Sequence, residues 1–176
     1  MKNYTGVVLM LVLAACSNAQ SPKESSHSTE VEAPVANVAV ELENPKLQSI
    51  YNNYVILKDA LVASDYAPAK AAAASLEKQL SGYEGCENTS LIAKKISESK
   101  DLAAQRKEFT YLSSDVIALF SHATLKKGSI YVEHCPMANK GDGGSWLSSE
   151  KKIQNPYYGD EMMECGSVTD EFKVSI

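Results

Sequence analysis

The chain has 176 residues, of which 44% are hydrophobic and 22% charged, and this composition is ordinary for one globular domain with a hydrophobic core. Its formal net charge is −5, so it offers no basic surface for nucleic acid. The sequence contains no glycine-rich nucleotide-binding signature and no Gly-x-Ser-x-Gly nucleophile motif. We therefore expect no nucleic-acid partner and no enzymatic activity.

The first fifteen residues have the pattern of a secretory signal peptide. Lys2 precedes an apolar run at residues 7–13, which is much shorter than the roughly 20 residues of a membrane-spanning helix. The motif Leu13-Ala14-Ala15-Cys16 resembles the lipobox of bacterial lipoproteins, in which the cysteine is acylated, for example with palmitate, and becomes the first mature residue. We expect Cys16 to anchor the protein to a membrane. The alternative is an ordinary signal followed by a chance cysteine.

Residues 16–44 are predicted to form a flexible tether after the lipidated cysteine. They are rich in Ser, Glu, Ala and Pro and contain no aromatic residue. Such a segment cannot bury enough apolar surface to offset the entropy lost on ordering. The expected location is the cell envelope, on a periplasm-facing leaflet of the inner or outer membrane or on the cell surface.

Residues 45–127 are predicted to form a helical body of four amphipathic helices, because apolar residues recur there at steps of three and four. Lys126-Lys127-Gly128 has the basic residues and the glycine that favour a helix end. The expected N-caps are Asn44, Asp65, Asn88 or Thr89, and Asp101. The residues expected to face inward are Leu47, Ile50, Tyr51, Tyr54, Leu57, Leu61, Ala69, Ala72, Ala73, Leu76, Leu80, Leu91, Ile92, Ile96, Leu102, Gln105, Phe109, Leu112, Val116 and Leu119.

Helical segments joined by short loops indicate an up-and-down bundle. The predicted fold class is therefore mainly α, an up-and-down four-helix bundle with a small irregular or β C-terminal lobe at residues 128–176. The domain as a whole is expected to span residues 45–176.

The C-terminal lobe begins with a predicted strand at residues 129–134, which are β-branched and aromatic. Alternation along a strand puts His134 and Cys135 on opposite faces, so both cannot reach one metal ion. We therefore rank His134 below Cys135 and Met137 as a metal ligand. His122 is also a weak candidate, because it contributes only if the lobe folds back over the end of the last helix.

Sulfur side chains cluster in this lobe. Outside the signal peptide, every methionine lies two or three positions from a cysteine: Met137 follows Cys135, and Met162 and Met163 precede Cys165. Thiolate and thioether together are the ligand set that selects Cu(I). We therefore predict a soft-metal site, for Cu(I) or Ag(I), formed by Cys135, Met137, Met162 and Cys165, with Met163 as a weaker ligand.

The same cysteines permit a second interpretation. In an oxidising envelope, Cys135 and Cys165 can form a disulfide that closes a loop of about thirty residues and stabilises the fold by roughly 2–4 kcal/mol. Cys86 would then remain an odd thiol. The pair can also alternate between a bridged and a metal-bound state. A disulfide explains the two cysteines but gives no reason for the neighbouring thioethers.

Several motifs carry a family resemblance: Tyr131-Val132-Glu133-His134-Cys135-Pro136-Met137-Ala138, Trp146-Leu147-Ser148, Ile153-Gln154-Asn155-Pro156-Tyr157-Tyr158-Gly159, Cys165-Gly166 and Lys100-Asp101-Leu102-Ala103-Ala104-Gln105-Arg106. Over roughly residues 45–172 the chain resembles the DUF3347 family. Its members are exported bacterial proteins, many of them lipoproteins, and similar domains occur on membrane-fusion subunits of copper- and silver-type efflux systems. The resemblance implies a metal-handling context and an efflux or envelope partner. The family often has a histidine before its third helix, for which Cys86 is a candidate replacement here.

The sequence therefore predicts a non-enzymatic envelope lipoprotein that binds or hands over a soft metal ion, with Cu(I) the expected ion, in metal homeostasis or efflux. The alternative is a module that binds no metal and docks onto an envelope or efflux partner, with Cys135–Cys165 as a structural disulfide.

Overall fold

A computed structural model describes residues 39–175, so the signal peptide, Cys16 and most of the predicted tether lie outside the described residues. The described chain is mainly helical with a small β lobe, which confirms the predicted fold class. None of the helices within residues 39–175 has the length and hydropathy needed to cross a membrane. In chain order the elements are β1 (Glu41–Leu42), α1 (Pro45–Val62), α2 (Tyr66–Ser81), α3 (Glu87–Glu98), α4 (Leu102–Phe120), β2 (Leu125–Lys127), β3 (Ser129–Cys135), β4 (Gly144–Ser148) and β5 (Ser167–Lys173), with short 3-10 turns at Ala138–Gly141 and Gly159–Glu161.

The helix starts follow largely from local capping. The side chain of Asn44 accepts hydrogen bonds from the N–H groups of the first turn of α1, and Asp101 accepts one from Ala104 at the start of α4. Asp65 occupies the N-cap of α2, but its side chain makes no capping hydrogen bond. The predicted N-cap of α3, Asn88 or Thr89, was wrong, because the helix begins at Glu87 and Cys86 occupies the N-cap position.

Consecutive helices pack against one another, and nearly all of the predicted inward residues are buried or partly buried. Leu91 is the exception, with 56% of its surface exposed. The buried stripe of α3 runs through Thr89, Ala93 and Ile96. Leu91 lies two residues from Thr89, which is more than half a helical turn, so its side chain faces solvent.

The end of α4 and the start of the packed domain also differ from the prediction. The helix stops at Phe120, and the Lys126-Lys127 segment belongs to β2, which pairs antiparallel with β1. Val40 and Leu42, in the predicted tether, are buried beside it. This pairing joins segments more than eighty residues apart, so local capping signals carry no trace of it.

The C-terminal lobe is a three-stranded antiparallel sheet in the order β4-β3-β5. It packs against the helices across a shared hydrophobic core. At this junction Tyr54 of α1 is fully buried, and its hydroxyl accepts a hydrogen bond from the Leu147 N–H at 3.1 Å and bonds to the Ser113 hydroxyl at 2.6 Å. Body and lobe are therefore parts of one packed unit.

Candidate functional site

The two lobe cysteines meet at the end of β3. Cys135 is the last residue of β3, and Cys165 lies just before β5. The antiparallel pairing of β3 with β5, with His134 opposite Ser167, brings Cys165 back to Cys135. Both are free thiols, and their Sγ atoms are 2.7 Å apart. Cys135 is fully buried and Cys165 half-buried, so the pair is approached from the Cys165 side.

Asn155 fixes the turn that carries Cys165. It is fully buried, and its side-chain amide donates to the Cys165 carbonyl at 2.8 Å while its own N–H donates to the Met163 carbonyl at 2.9 Å. Its side-chain oxygen accepts from the N–H groups of Tyr157 and Tyr158. One buried amide thus satisfies backbone groups on both sides of the turn, which keeps Cys165 close to β3.

Two tyrosines secure the Cys135 side of the site. The Tyr158 hydroxyl donates to the Met137 carbonyl at 2.5 Å, and the Tyr157 hydroxyl donates to the Ser145 carbonyl at 3.0 Å. A Cβ at Gly144 would lie 2.6 Å from the Tyr157 ring, so this close approach requires glycine. The motif Asn155-Pro156-Tyr157-Tyr158 is readable in the sequence as a turn, but these contacts are not.

The hydrogen bond with Cys135 has the largest influence on the protonation of Cys165. The pKa of the Cys165 thiol is raised, first by the hydrogen bond with Cys135 and second by burial. The backbone N–H of Met137 hydrogen-bonds to Cys165 and acts in the opposite direction. A metal ion must displace the thiol proton, so binding at this pair releases protons and strengthens as pH rises.

Two of the predicted thioether ligands contact Cys165 through their backbones. Met137 is 52% exposed, and its N–H contacts Cys165. Met162 and Met163 are half-buried, and the Met162 carbonyl accepts the N–H of Cys165 at 3.1 Å. Backbone contacts therefore hold Met137 and Met162 next to Cys165.

The weaker histidine candidates lie apart from the sulfurs. The His134 ring bonds to the Ser145 hydroxyl at 2.9 Å and lines a cavity of about 360 Å³ beside α4. His122 is exposed in the turn after α4. Within residues 39–175, no three His, Cys, Asp or Glu side chains converge as a metal site, so neither histidine completes a three-ligand group with the two cysteines.

Cys86, the third cysteine within the described chain, is buried in the helical body at the N-cap of α3. Burial is the main cause that raises the pKa of its thiol, followed by the charges of Glu87 and Asp115. A buried, protonated thiol is a poor nucleophile. Its possible role as a replacement ligand stays a prediction.

The distance between the sulfurs lies between those of the two predicted states. A disulfide needs about 2.05 Å between its sulfur atoms, whereas two thiolates bound at about 2.3 Å to one ion lie about 3.7 Å or more apart. The two sulfurs are therefore near enough for either state, and each state needs an adjustment of their separation.

A buried carboxylate lies two residues from Cys135 on the same face of β3. Glu133 is fully buried, and the indole N–H of Trp146 is near its carboxylate but does not form a hydrogen bond of good geometry with it. Burial is the main cause that raises its pKa to about 7, while the indole N–H of Trp146 and the charge of Lys58 act against this shift. The Lys58 ammonium is paired with Asp59 at 2.5 Å. Nothing in the local sequence pattern distinguishes Glu133 from an exposed strand residue.

The family comparison covers the helical body. Residues 50–128 match the model of the DUF3347 family, described as a protein of unknown function, which confirms the resemblance found in the sequence. The matched range ends before the cysteine motifs. No curated protein and no solved structure matches the chain.

Proposed function

We propose that this chain, a member of the DUF3347 family through residues 50–128, is an envelope lipoprotein that binds or hands over Cu(I) in a metal-homeostasis or efflux context. The observation that carries the proposal is the meeting of Cys135 and Cys165, whose sulfur atoms are 2.7 Å apart although the residues are 30 positions apart in the chain. The thiols would bind the ion as thiolates.

The donor set supports a soft ion. The pair supplies two cysteine sulfurs, and Met137 and Met162, which carry thioethers, contact Cys165 through their backbones. Structural Zn²⁺ sites take four ligands from Cys, His and carboxylates, and the described residues bring no third side chain of these types to the pair. Thiolates and thioethers are instead the ligands that favour Cu(I).

The unequal burial of the donors supports transfer of the ion as well as its binding. Cys135 is held inside the lobe, Cys165 is half-buried, and Met137 is 52% exposed. An ion at this position would be reachable by soft donors of a partner protein. Met137 would be the first ligand that an incoming ion meets, because its flexible thioether stands in solvent.

A second candidate function is a docking module that binds no metal, with Cys135–Cys165 as a structural bridge. The direct contact of the two sulfurs supports it, because a disulfide needs the same two residues side by side. In that case the bridge fastens the β5 end of the lobe to β3, and the partner recognises the surface of the lobe.

A titration of the reduced protein with Cu(I), against a chromogenic Cu(I) competitor and without oxygen, tests the first proposal. We expect Cys135→Ser and Cys165→Ser each to lower the affinity at least about 100-fold, because each removes one of two anionic ligands. Cys86→Ser is the matched control and should bind as the unmodified chain does. Unchanged affinity in both lobe variants would refute the metal proposal.

Replacement of Met137, Met162 and Met163 by leucine separates the two candidates. Leucine retains the volume of methionine and removes the thioether. A ligand role predicts that Cu(I) affinity of the triple variant falls about 10-fold while its unfolding free energy changes by less than about 1.5 kcal/mol. If the triple variant binds Cu(I) as tightly as the unmodified chain does, the cysteines are the only ligands among these residues. If the unmodified chain binds no measurable Cu(I) and is isolated with a Cys135–Cys165 bridge, the docking module is favoured.

A further inference from the structure

The two thiols lie side by side but differ in their exposure to solvent. Cys135 is fully buried, Cys165 is half-buried, and their sulfur atoms are 2.7 Å apart. Of the two thiols, a metal ion from solvent therefore meets Cys165 first, with the second thiol directly behind it. This order of access suits a reaction in which the outer thiol contacts an oxidant and the inner thiol completes a bridge.

We propose that the reduced pair also reduces Cu(II), giving two electrons to two Cu(II) ions and becoming the Cys135–Cys165 disulfide. This inference rests on the proposed function, because it assigns a second oxidation state of the same metal to the same thiols. Cu(II) is the oxidant, and one reduced pair supports one turnover.

The first electron comes from Cys165. Its thiol loses a proton to solvent as Cu(II) binds to the sulfur, and one electron passes from sulfur to copper. The products are Cu(I) and a sulfur-centred radical on Cys165. A lone thiol would stop at this point until it met a second radical or a second protein molecule.

The second electron depends on the neighbouring sulfur. Cys135 loses its proton as its sulfur bonds to the Cys165 radical, giving a disulfide radical anion, which passes its extra electron to a second Cu(II) ion. In total, two thiols and two Cu(II) ions give one disulfide, two Cu(I) ions and two protons. Atoms, charge and electrons balance without a further reactant.

The geometry favours this bond because the second thiol is already in place. The two sulfurs are already side by side, and well-oriented groups in one molecule react as if present at about 10⁵ M or more. The Asn155 side-chain amide donates to the Cys165 carbonyl and the Asn155 N–H donates to the Met163 carbonyl, and these bonds limit how far the turn can move away.

The reaction also gives the methionines a role beside an oxidised pair. A disulfide no longer offers thiolate ligands, whereas thioethers remain available as soft, uncharged donors for the Cu(I) that is formed. Met137 is the exposed member of the group. The bridge and the thioethers, which compete as explanations in the sequence, then belong to successive stages of one process.

The test mixes the full chain, reduced and free of oxygen, with a twofold excess of Cu(II) sulfate. Thiols are counted residue by residue after alkylation and mass spectrometry, and Cu(I) is then read with a Cu(I)-specific chromogenic chelator. We expect two Cu(I) ions per chain, loss of two hydrogens in a cross-linked Cys135–Cys165 peptide pair, and Cys86 still reduced.

Cys135→Ser retains the outer thiol and removes the inner one. We expect it to form bridges only between molecules, at least about 100-fold more slowly than the unmodified chain forms its internal bridge, and to give no more than one Cu(I) ion per chain. Cys86→Ser should react as the unmodified chain does. Equal rates in Cys135→Ser and the unmodified chain, or thiols that stay reduced in the unmodified chain, would overturn the inference. Cu(I) affinity of the reduced chain is measured separately, so binding without Cu(II) reduction would refute this inference alone.

Discussion

Glu133 illustrates how a single residue sets the pH response of the lobe. Its carboxyl group is fully buried, and this burial raises its pKa from an ordinary value of 4.5 to about 7. The folded state therefore holds the proton more tightly than the unfolded state does. Stability from this group is fully present below about pH 4.5 and is lost as pH rises towards 7.

We predict that Glu133→Gln removes most of this pH dependence, because the amide has the same shape and does not ionise. Between pH 5 and 8 the unmodified protein should lose about 2 kcal/mol of unfolding free energy relative to the variant. Urea unfolding across this range measures the difference. The exposed Glu84→Gln serves as the control. Parallel pH profiles for Glu133→Gln and the unmodified chain would show that the carboxyl group does not titrate in this window.

The cysteine pair shows how much of the candidate site could be predicted from individual residues in the sequence. Spacing and an expected export to the envelope were sufficient to predict that Cys135 and Cys165 are partners, and strand alternation was sufficient to lower the rank of His134. The contribution of Asn155 could not be predicted, because its importance lies in four contacts with backbone groups that only the folded turn brings together.

At the scale of elements, the turn at residues 153–165 determines where Cys165 lies. We predict that Asn155→Ala destabilises the protein by about 3 kcal/mol, because it leaves several buried backbone groups without partners. It should also weaken Cu(I) binding, since the turn is free to move away from β3. Urea unfolding and the Cu(I) titration measure the two effects. Asn88→Ala, at an exposed position of α3, should change neither, and a cost below about 1 kcal/mol for Asn155→Ala would contradict this role.

Elements were predictable where their signals are local. The start of α1 follows from Asn44 and Pro45, and the inward faces of the helices follow from apolar spacing. The end of α4 was not predictable, because residues 125–127 form a strand that pairs with β1. The buried apolar residues at β1 lie in a segment whose composition is otherwise typical of a flexible tether. For the same reason, the packed domain begins before residue 45, the start that the sequence predicted.

At the scale of the whole molecule, the shared core joins the helical body to the lobe. Tyr54 bonds to Ser113 of α4 and to the Leu147 N–H of β4, and its ring stacks on Phe109. These contacts connect the confirmed family domain with the cysteine lobe that lies beyond the matched range. A substitution that destabilises one part should therefore also destabilise the other.

We predict that body and lobe unfold in a single transition. Trp146 is the only tryptophan and lies fully buried in the lobe, so its fluorescence reports the lobe, while circular dichroism reports the helices. The two signals should give the same urea midpoint, as expected for one cooperative unit. Tyr54→Phe, which removes the hydroxyl at the junction, should lower both midpoints together. Separate midpoints in the unmodified chain would instead indicate two domains.

The proposal that the chain carries Cu(I) on the paired sulfurs is tested most directly by X-ray absorption at the copper edge. The reduced chain is loaded with one equivalent of Cu(I) without oxygen. The account predicts a copper ion surrounded by two or three sulfur atoms at about 2.3 Å, with one sulfur lost in Cys165→Ser. A coordination shell of nitrogen or oxygen alone, or a spectrum unchanged in Cys165→Ser, would contradict it.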